Sequence, residues 1–285
     1  MPKKLIPYLL LLPQIGLIGM FLFSLISGMV QSFGIIPVFG LTEPTFAYYR
    51  SIIEQKDMAT AVGFSLFIAG TSAVLSTVIG TGICMLMTHT HKTHGLIMHC
   101  VRIPIFVPHT VAALCMINIF AETGLLARVL YAAGLISGKE ALVPLIFDQW
   151  GIGIILAYLW KEVPFIIYFV ISLMANINGS LGEAAVNLGA GSIRTFFSVI
   201  LPLCTRQILR GFIIIFLFSF GAYELPQLLG PTTPKTVPVL AYLHYTHPDL
   251  QHRPYAMALN GVIIIIAVIC AALYFISDVS YEKEH

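Results

Sequence analysis

Residues 181–202 read LGEAAVNLGAGSIRTFFSVILP, and this stretch determines how the rest of the chain is interpreted. It is too polar to cross a membrane and too apolar to be a disordered linker. The spacing of Leu181, Ala185, Leu188 and Ile193 indicates a short helix with one apolar face. Such a face has to be buried, and we find no second soluble domain in the sequence that could cover it. The stretch therefore indicates contact with a separate protein.

The composition around this stretch is that of an integral membrane protein. Of the 285 residues, 58% are hydrophobic and only 10% are charged, and the mean hydropathy is +0.91. A soluble domain usually carries roughly a quarter charged residues, so lipid has to solvate much of this surface. The net charge of +2 provides no basic field for nucleic acid. We therefore expect an all-α protein in a lipid bilayer, with no nucleic-acid partner.

Six apolar segments are long enough to cross a bilayer as helices, since a span needs about 20 residues. The predicted spans are residues 8–32, 60–88, 103–121, 151–175, 208–229 and 255–277. Pro104 and Pro108 interrupt the third span, and Pro164 lies inside the fourth. The connection at 230–254 contains five prolines and is expected to be an irregular outer loop.

The positions of lysine and arginine predict the orientation, because cytoplasmic loops are enriched in both. Lys3 and Lys4 precede the first span, and Arg194, Arg206 and Arg210 lie between or near spans four and five. Both groups favour the cytoplasm, which places the N- and C-termini of a six-span protein there. The first apolar segment is too long for a signal-peptide core and is interpreted as a retained helix.

The same stretch closely resembles the EAA loop of binding-protein-dependent ABC importer permeases, the inner-membrane components with the type I importer fold. The family pattern is EAA, three residues, G, nine residues, I, any residue, LP. Six positions match it, Ala190 follows the glycine, and Val199 stands at the isoleucine position. The matches are Glu183, Ala184, Ala185, Gly189, Leu201 and Pro202. The resemblance covers roughly residues 58–277.

Elementary chemistry suggests a use for each matching residue. Small side chains at Ala184 and Ala185 let a helix approach a partner closely, and Gly189 permits a sharp turn. Glu183 is expected near a helix start, where a carboxylate interacts favourably with the helix dipole. Pro202 is expected where the chain turns back into the membrane.

The resemblance implies an architecture and a set of partners. Residues 1–57 would form the first span and an outer loop, 58–277 the permease core, and 278–285 a cytoplasmic tail. The EAA loop would be a cytoplasmic coupling helix between spans four and five that docks on an ATPase subunit. The implied partners are two ATP-binding-cassette ATPase subunits, a second permease, identical or homologous, and an extracytoplasmic solute-binding protein. The chain would form half of a translocation path in a bacterial inner membrane.

A nucleotide-binding loop of the form GxxxxGK[ST] does not occur in the sequence. Gly138-Lys139 lacks the upstream glycine, and neither Ser nor Thr follows it. The chain is therefore predicted to be no enzyme and to hold no cofactor, with ATP bound and hydrolysed by the partners. The five cysteines form no CxxC pair, and the histidines of the loops predict no metal site.

Charged residues inside the spans are candidates for the translocation path, because such residues are costly in a bilayer. They are Lys161, Glu162 and Glu224, with Trp160 and Tyr223 as aromatic neighbours. The open alternative is structural: each group binds a neighbouring helix or a backbone group that Pro164 or Pro226 leaves unpaired.

The substrate is predicted only by similarity. WKEVPF at 160–165 and GAYELP at 221–226 look most like the branch of polyamine and ferric-ion permeases. This implies a small solute such as a polyamine or a metal-ion complex. The alternative to the importer is a gradient-driven secondary transporter, in which the buried charges relay ions and no ATPase takes part.

Overall fold

A computed structural model describes residues 6–90, 95–136 and 145–282. Within these ranges the regular structure is helical, apart from one isolated bridge between Ile36 and Leu41. Six of the described helical segments are long and apolar enough to cross a membrane. The predicted all-α architecture with six spans is therefore confirmed.

Thirteen α-helices lie in the described ranges, joined in two places by a π-helical turn. The helices are α1 (Ile6–Ser32), α2 (Ala47–Glu54), α3 (Lys56–His89), α4 (Leu96–Phe106), α5 (His109–Phe120), α6 (Leu125–Ala132), α7 (Ile152–Ile177), α8 (Glu183–Asn187), α9 (Ser192–Thr195), α10 (Leu201–Gly221), α11 (Glu224–Leu229), α12 (Val237–Tyr245) and α13 (Arg253–Glu282). The π turns are Asn178–Gly182 and Phe196–Ile200.

The third predicted span is divided between two helices. Helix α4 contains Pro104 and ends at Phe106, and α5 begins at His109. Between them Val107 is extended, with φ −70° and ψ 127°. The cause is Pro108, which has no N–H and forces the preceding residue out of the helical region. The apolar span is His109–Ala132, so the predicted bounds of 103–121 are wrong.

The fifth predicted span, 208–229, is also divided. Helix α10 ends at Gly221, Ala222 is extended with ψ 137°, and α11 begins at Glu224. In one continuous helix the ring of Pro226 would clash with the carbonyl of Ala222, four residues earlier. Turning the chain at Ala222 removes the clash. Glu224 therefore starts a separate helix, and its predicted place inside span five is wrong.

The connection at 230–254 is more regular than the prolines suggest. It contains α12 (Val237–Tyr245) and a short 3₁₀ turn (Leu250–His252). Pro238 occupies the first turn of α12, where a missing N–H leaves no hydrogen bond unmade. The prediction of a wholly irregular outer loop is therefore wrong.

The chain divides into two compact units. One comprises Thr60–Thr236 and the chain from Ala267, and its core lies where α7 packs against α4 and α10. Fully buried Ile166, Val170 and Met174 of α7 are part of this core. The other comprises the described part of Met1–Ala59 together with Val237–Ile266. Within it the hydroxyls of Ser32 and Tyr49 are hydrogen bonded at 2.7 Å.

Helix α3 approaches α7 closely at one glycine. A Cβ added to Gly80 would lie 2.7 Å from Cγ2 and 2.9 Å from Cβ of Ile166. Ile166 is fully buried, and its Cβ is fixed to the α7 backbone, so it cannot move aside. A Cβ added to Gly82, on the same helix, meets no atom within 4 Å.

We therefore expect Gly80→Ala to destabilise the protein by about 1–3 kcal/mol, the usual cost of overpacking a core. Gly82→Ala is the matched control and should leave stability unchanged or slightly raised, because alanine is the better helix former. Thermal unfolding of the two variants in detergent measures the difference. Equal midpoints for both would show that α3 and α7 are not in close contact at Gly80.

Candidate functional site

Two divided spans meet in one part of the fold. Helix α11 packs against both α5 and α7, so the break before α5 and the break before α11 lie on neighbouring elements. Lys161 of α7, His109 at the start of α5 and Glu224 at the start of α11 interact electrostatically there. Backbone breaks inside a membrane protein are tolerated where protein or a polar cavity receives the freed groups. This cluster is the candidate site on the translocation path.

Lys161 fills the gap that Pro108 leaves in the backbone hydrogen bonding. Its ammonium donates to the carbonyl of Pro104 at 3.1 Å and also to that of Val107. In a continuous helix the carbonyl of Pro104 would accept from the N–H of residue 108, which proline lacks. The lysine supplies the missing donor. These contacts match the structural alternative, in which a charged side chain binds a backbone group that a proline leaves unpaired. The proline is Pro108 rather than Pro164.

Glu162 points in a different direction and joins three helices. It is buried, with 4% of its surface exposed. The hydroxyl of Ser76 on α3 donates to Oε2 at 2.9 Å, and the hydroxyl of Ser219 on α10 donates to Oε1. Because both carboxylate oxygens accept from neighbouring helices, these contacts are also structural.

Glu224 is the most open of the charged groups. Its side chain is 57% exposed, and Oε2 lies 3.9 Å from Nδ1 of His109. The ring of His109 packs against Phe218, with ring centroids 5.2 Å apart. Trp160 is 37% exposed, and Tyr223 is half-buried beside the break. The structure thus brings Lys161 and Glu224 together and directs Glu162 elsewhere.

His109 belongs to this cluster and was missed by the sequence reasoning. A usable signal was present, because the dipeptide Pro108-His109 places a helix break and a polar side chain together inside an apolar segment. The pairing of His109 with Glu224 could not be predicted from the sequence, because Glu224 lies on a helix that is far away along the chain.

The predicted coupling loop is a helical hairpin, and each of its arms is continuous with a long helix. Helix α7 continues through the π turn into α8, giving one helical segment, Ile152–Asn187. The amide of Glu183 donates to the carbonyl of Asn178 within this segment. The predicted helix start at Glu183 is therefore wrong, and its carboxylate has no free helix N-terminus beside it.

The turn of the hairpin lies at Gly189, as the sequence predicts. Gly189 has φ +90°, in the region that favours glycine. The amide of Ala190 donates to the carbonyl of Ala185 at 3.0 Å, and that of Gly189 donates to Val186 at 2.9 Å. Together these bonds form a Schellman motif, which ends a helix abruptly.

The returning arm is also continuous, from Ser192 to Gly221. Pro202 is the second residue of α10, directly after the π turn Phe196–Ile200. A proline inside an α-helix clashes with the carbonyl four residues earlier, and a π turn provides a wider coil at that point. Pro202 therefore lies within a helical segment that has already begun at Ser192. Leu201 is the first residue of α10.

The tip of the hairpin exposes apolar side chains. Leu188 is 89% exposed, Ile193 68% and Val186 50%. Glu183 and Ala184 are also exposed, whereas Ala185 is half-buried. A cluster of exposed apolar residues on a turn is typical of a surface that another protein covers.

Three histidines cluster in the second unit. Nδ1 of His244 lies 3.0 Å from Nδ1 of His252, and the rings of His247 and His252 stack 3.7 Å apart. Burial, and then the charges of His252 and His247, lower the pKa of His244. Four more histidines lie near the connection between α3 and α4: His89, His91, His94 and His99. Of these, His91 and His94 lie outside the described residues. Among those described, no group of three metal-binding side chains is suited to hold an ion.

The chain is similar to known transport proteins. Residues 78–283 match the family described as binding-protein-dependent transport system inner membrane component. The chain is 25% identical over 252 residues to a probable sulfate transport system permease protein of Prototheca wickerhamii, covering 84% of this chain and 95% of that protein. It is 27% identical over 173 residues to the spermidine/putrescine transport system permease protein PotB of Haemophilus influenzae, covering 60% and 59%. It is 24% identical over 224 residues to the molybdenum transport system permease protein ModB of Azotobacter vinelandii, covering 78% and 95%.

Solved structures share the fold. A chain of a bacterial ABC transporter that imports the acidic polysaccharide alginate superposes with a TM-score of 0.77 at 17% identity, covering 99% of this chain and 96% of that one. A chain of the alginate transporter in complex with a periplasmic protein bound to an alginate pentasaccharide gives 0.75 at 19% identity, covering 96% and 93%.

Proposed function

We propose that this chain, which belongs to the family of binding-protein-dependent transport system inner membrane components, couples solute passage to separate ATPase subunits through residues 182–202. It is a multi-pass membrane protein and the permease subunit of an ABC importer. Family membership favours this function over the gradient-driven transporter. As a transport subunit it leaves ATP binding and hydrolysis to its partners.

The observation that carries the proposal is the continuity of both hairpin arms. Ile152–Asn187 is one helical segment of 36 residues, about 54 Å long at 1.5 Å per residue. This segment carries Lys161 and Glu162, and the returning arm carries Ser219, which bonds to Glu162. A displacement of the exposed tip is therefore transmitted to the candidate path without a flexible joint.

The proposal includes the arrangement of partners. The hairpin tip faces the cytoplasm, the N- and C-termini lie on the same side, and the membrane is a bacterial inner membrane. Two ATPase subunits bind the tips of two permeases, this chain and an identical or homologous one. A solute-binding protein delivers the solute from outside, which the neighbouring structure with its periplasmic protein supports.

For the substrate we propose a small charged solute. The relatives described above are named as permeases for sulfate, for spermidine and putrescine, and for molybdenum. At the candidate site the amine of Lys161 is occupied by two backbone carbonyls, whereas the side chain of Glu224 is 57% exposed, with His109 3.9 Å away. An exposed carboxylate favours a cation, and a polyamine or a metal-ion complex fits this charge.

The proposal is tested at the hairpin tip. We expect Leu188→Asp to reduce the amount of ATPase that co-purifies with the detergent-solubilised chain about tenfold, because a charge would replace a buried apolar contact worth more than 1 kcal/mol. Val38→Asp is the matched control, since Val38 is also 89% exposed but lies in a different connection. It should leave ATPase binding unchanged.

Quantitative mass spectrometry of the purified complexes provides the readout. Retention of the ATPase by Leu188→Asp at the wild-type level would mean that the tip is not the coupling surface. Equal losses in both variants would indicate a general folding defect and would also count against the assignment.

A further inference from the structure

A groove separates two spans in the second unit. It lies between α1 and α13, has a volume of about 610 Å³, and is bounded at one end by Tyr245 and Arg253. Both helices present one face to it. Ser24, Ser27 and Gln31 line it from α1, and Met257, Asn260 and Ile264 line it from α13. These spacings of three, four and seven residues are those of a single helical face.

The lining residues follow α13 away from its start. Arg253 and Tyr245, which lie against each other, form a polar end at the start of the helix. Ile263 and Ile264 lie about three turns further along it, after the polar Asn260. Arg253 and Ile264 are eleven residues apart on α13, about 16 Å along a helix axis. This is close to the thickness of one leaflet, since the hydrocarbon core of a bilayer is about 30 Å thick. The groove therefore has the dimensions of one acyl chain below one head group.

Arg253 leaves a positive charge unmatched at the polar end. Its guanidinium lies over the ring of Tyr245, with Cζ 4.8 Å from the ring centroid. Its Nε is buried and has no hydrogen-bond acceptor among the described residues. Asp249, four residues earlier, instead accepts from the amide of Gln251 at 3.0 Å. None of the described side chains that line the groove is acidic.

A second positive contribution comes from the backbone. Arg253 is the first residue of α13, a helix of 30 residues, and the first N–H groups of a helix attract anions. A guanidinium with no acidic side chain among the described groove residues, on a helix N-terminus at one end of a groove lined by several apolar side chains, calls for an anion with a hydrocarbon tail. Soluble phosphate would satisfy the charge but would leave the apolar walls uncovered.

We propose that the groove between α1 and α13 binds an anionic phospholipid. Arg253 and the start of α13 hold its phosphate, and one acyl chain lies along the groove toward Phe23 and Ile264. The bound lipid stabilises the packing of α1, whose residues 11–31 are exposed or half-buried within this chain. This inference does not depend on the proposed coupling function or on the substrate.

Native mass spectrometry of the full chain in detergent tests the site, with added phosphatidylglycerol and phosphatidylcholine as the two probes. Wild type should bind phosphatidylglycerol about fivefold more tightly, which corresponds to about 1 kcal/mol for one arginine against an anionic lipid. Arg253→Gln should lose this preference. Arg50→Gln should keep it, since Arg50 is exposed and already bonded to Glu54 at 2.6 Å.

Filling the groove gives an independent test. Gly28 lines the groove, and a Cβ added there meets no atom within 4 Å, so the side chain of Gly28→Trp begins in open space. It should abolish binding of both lipids. Gly19→Trp is the matched control, because Gly19 on the same helix is equally open but does not line the groove. It should bind lipid as wild type does.

Three results would overturn the inference. One is equal binding of phosphatidylglycerol and phosphatidylcholine by wild type. Another is unchanged lipid binding by Gly28→Trp together with loss of the second permease chain from the purified complex, which would assign the groove to a helix of that chain. Displacement of the lipid by millimolar inorganic phosphate would instead assign the Arg253 end to a soluble anion, and would also contradict the proposal.

Discussion

Replacing Glu162 by alanine is expected to lower the free energy of unfolding by about 2–4 kcal/mol, because two buried hydroxyls lose their acceptor at once. Ser76 and Ser219 lie on different helices, and each donates to a different carboxylate oxygen. Each hydroxyl left unsatisfied costs roughly 1–3 kcal/mol, and the cavity adds to this. The loss is limited because a serine in a helix is able to bond the carbonyl four residues earlier.

Conservative variants separate the hydrogen bonds from the charge. Glu162→Gln should cost less than Glu162→Ala, since the amide accepts from one serine and donates to the other. Glu122→Ala is the control, because Glu122 is exposed, and it should unfold at the wild-type temperature. Thermal unfolding in detergent provides the comparison. If Glu162→Ala unfolded at the same temperature as Glu122→Ala, the carboxylate of Glu162 would not be joining α3, α7 and α10.

The membrane-spanning regions were predictable, because they depend on local composition alone. Each long apolar segment gives a helix, and the bounds of the first, second, fourth and sixth differ from the prediction by a few residues at each end. The two divided spans depend on prolines whose effect varies with position. Pro104 and Pro164 lie inside helices, whereas Pro108 and Pro226 accompany breaks. The sequence does not distinguish these cases, because a helix tolerates a proline only where a partner compensates.

The candidate site was predictable as a set of residue types but not as a set of contacts. Costly charges inside apolar segments identify Lys161, Glu162 and Glu224. Their partners are separated from them by more than fifty residues, as in the bond from Lys161 to Pro104, and no local pattern encodes that pairing. The turn at Gly189 was predictable for the opposite reason, since a Schellman turn depends on one glycine. The π turns have no such signature.

Removing the amine of Lys161 addresses whether this residue repairs the backbone or lines the path. Lys161→Met should destabilise the protein by about 2–4 kcal/mol, because the carbonyls of Pro104 and Val107 both lose their donor inside the membrane. Lys56→Met is the control: Lys56 is exposed at the start of α3, and its replacement should have little effect. Thermal unfolding in detergent gives the magnitude.

The neutral donor glutamine distinguishes the two roles of Lys161. If the role is structural, Lys161→Arg and Lys161→Gln should both recover part of the lost stability, because each still offers N–H groups to the carbonyls. If Lys161 acts in the path through its charge, Lys161→Gln should be as stable as Lys161→Arg and yet lose uptake in vesicles that contain the assembled importer. The contacts with Pro104 and Val107 lead us to expect that stability and uptake fall together across Met, Gln and Arg. Wild-type stability in Lys161→Met would contradict this, since a break at Pro108 without a donor leaves two carbonyls unpaired where water is absent.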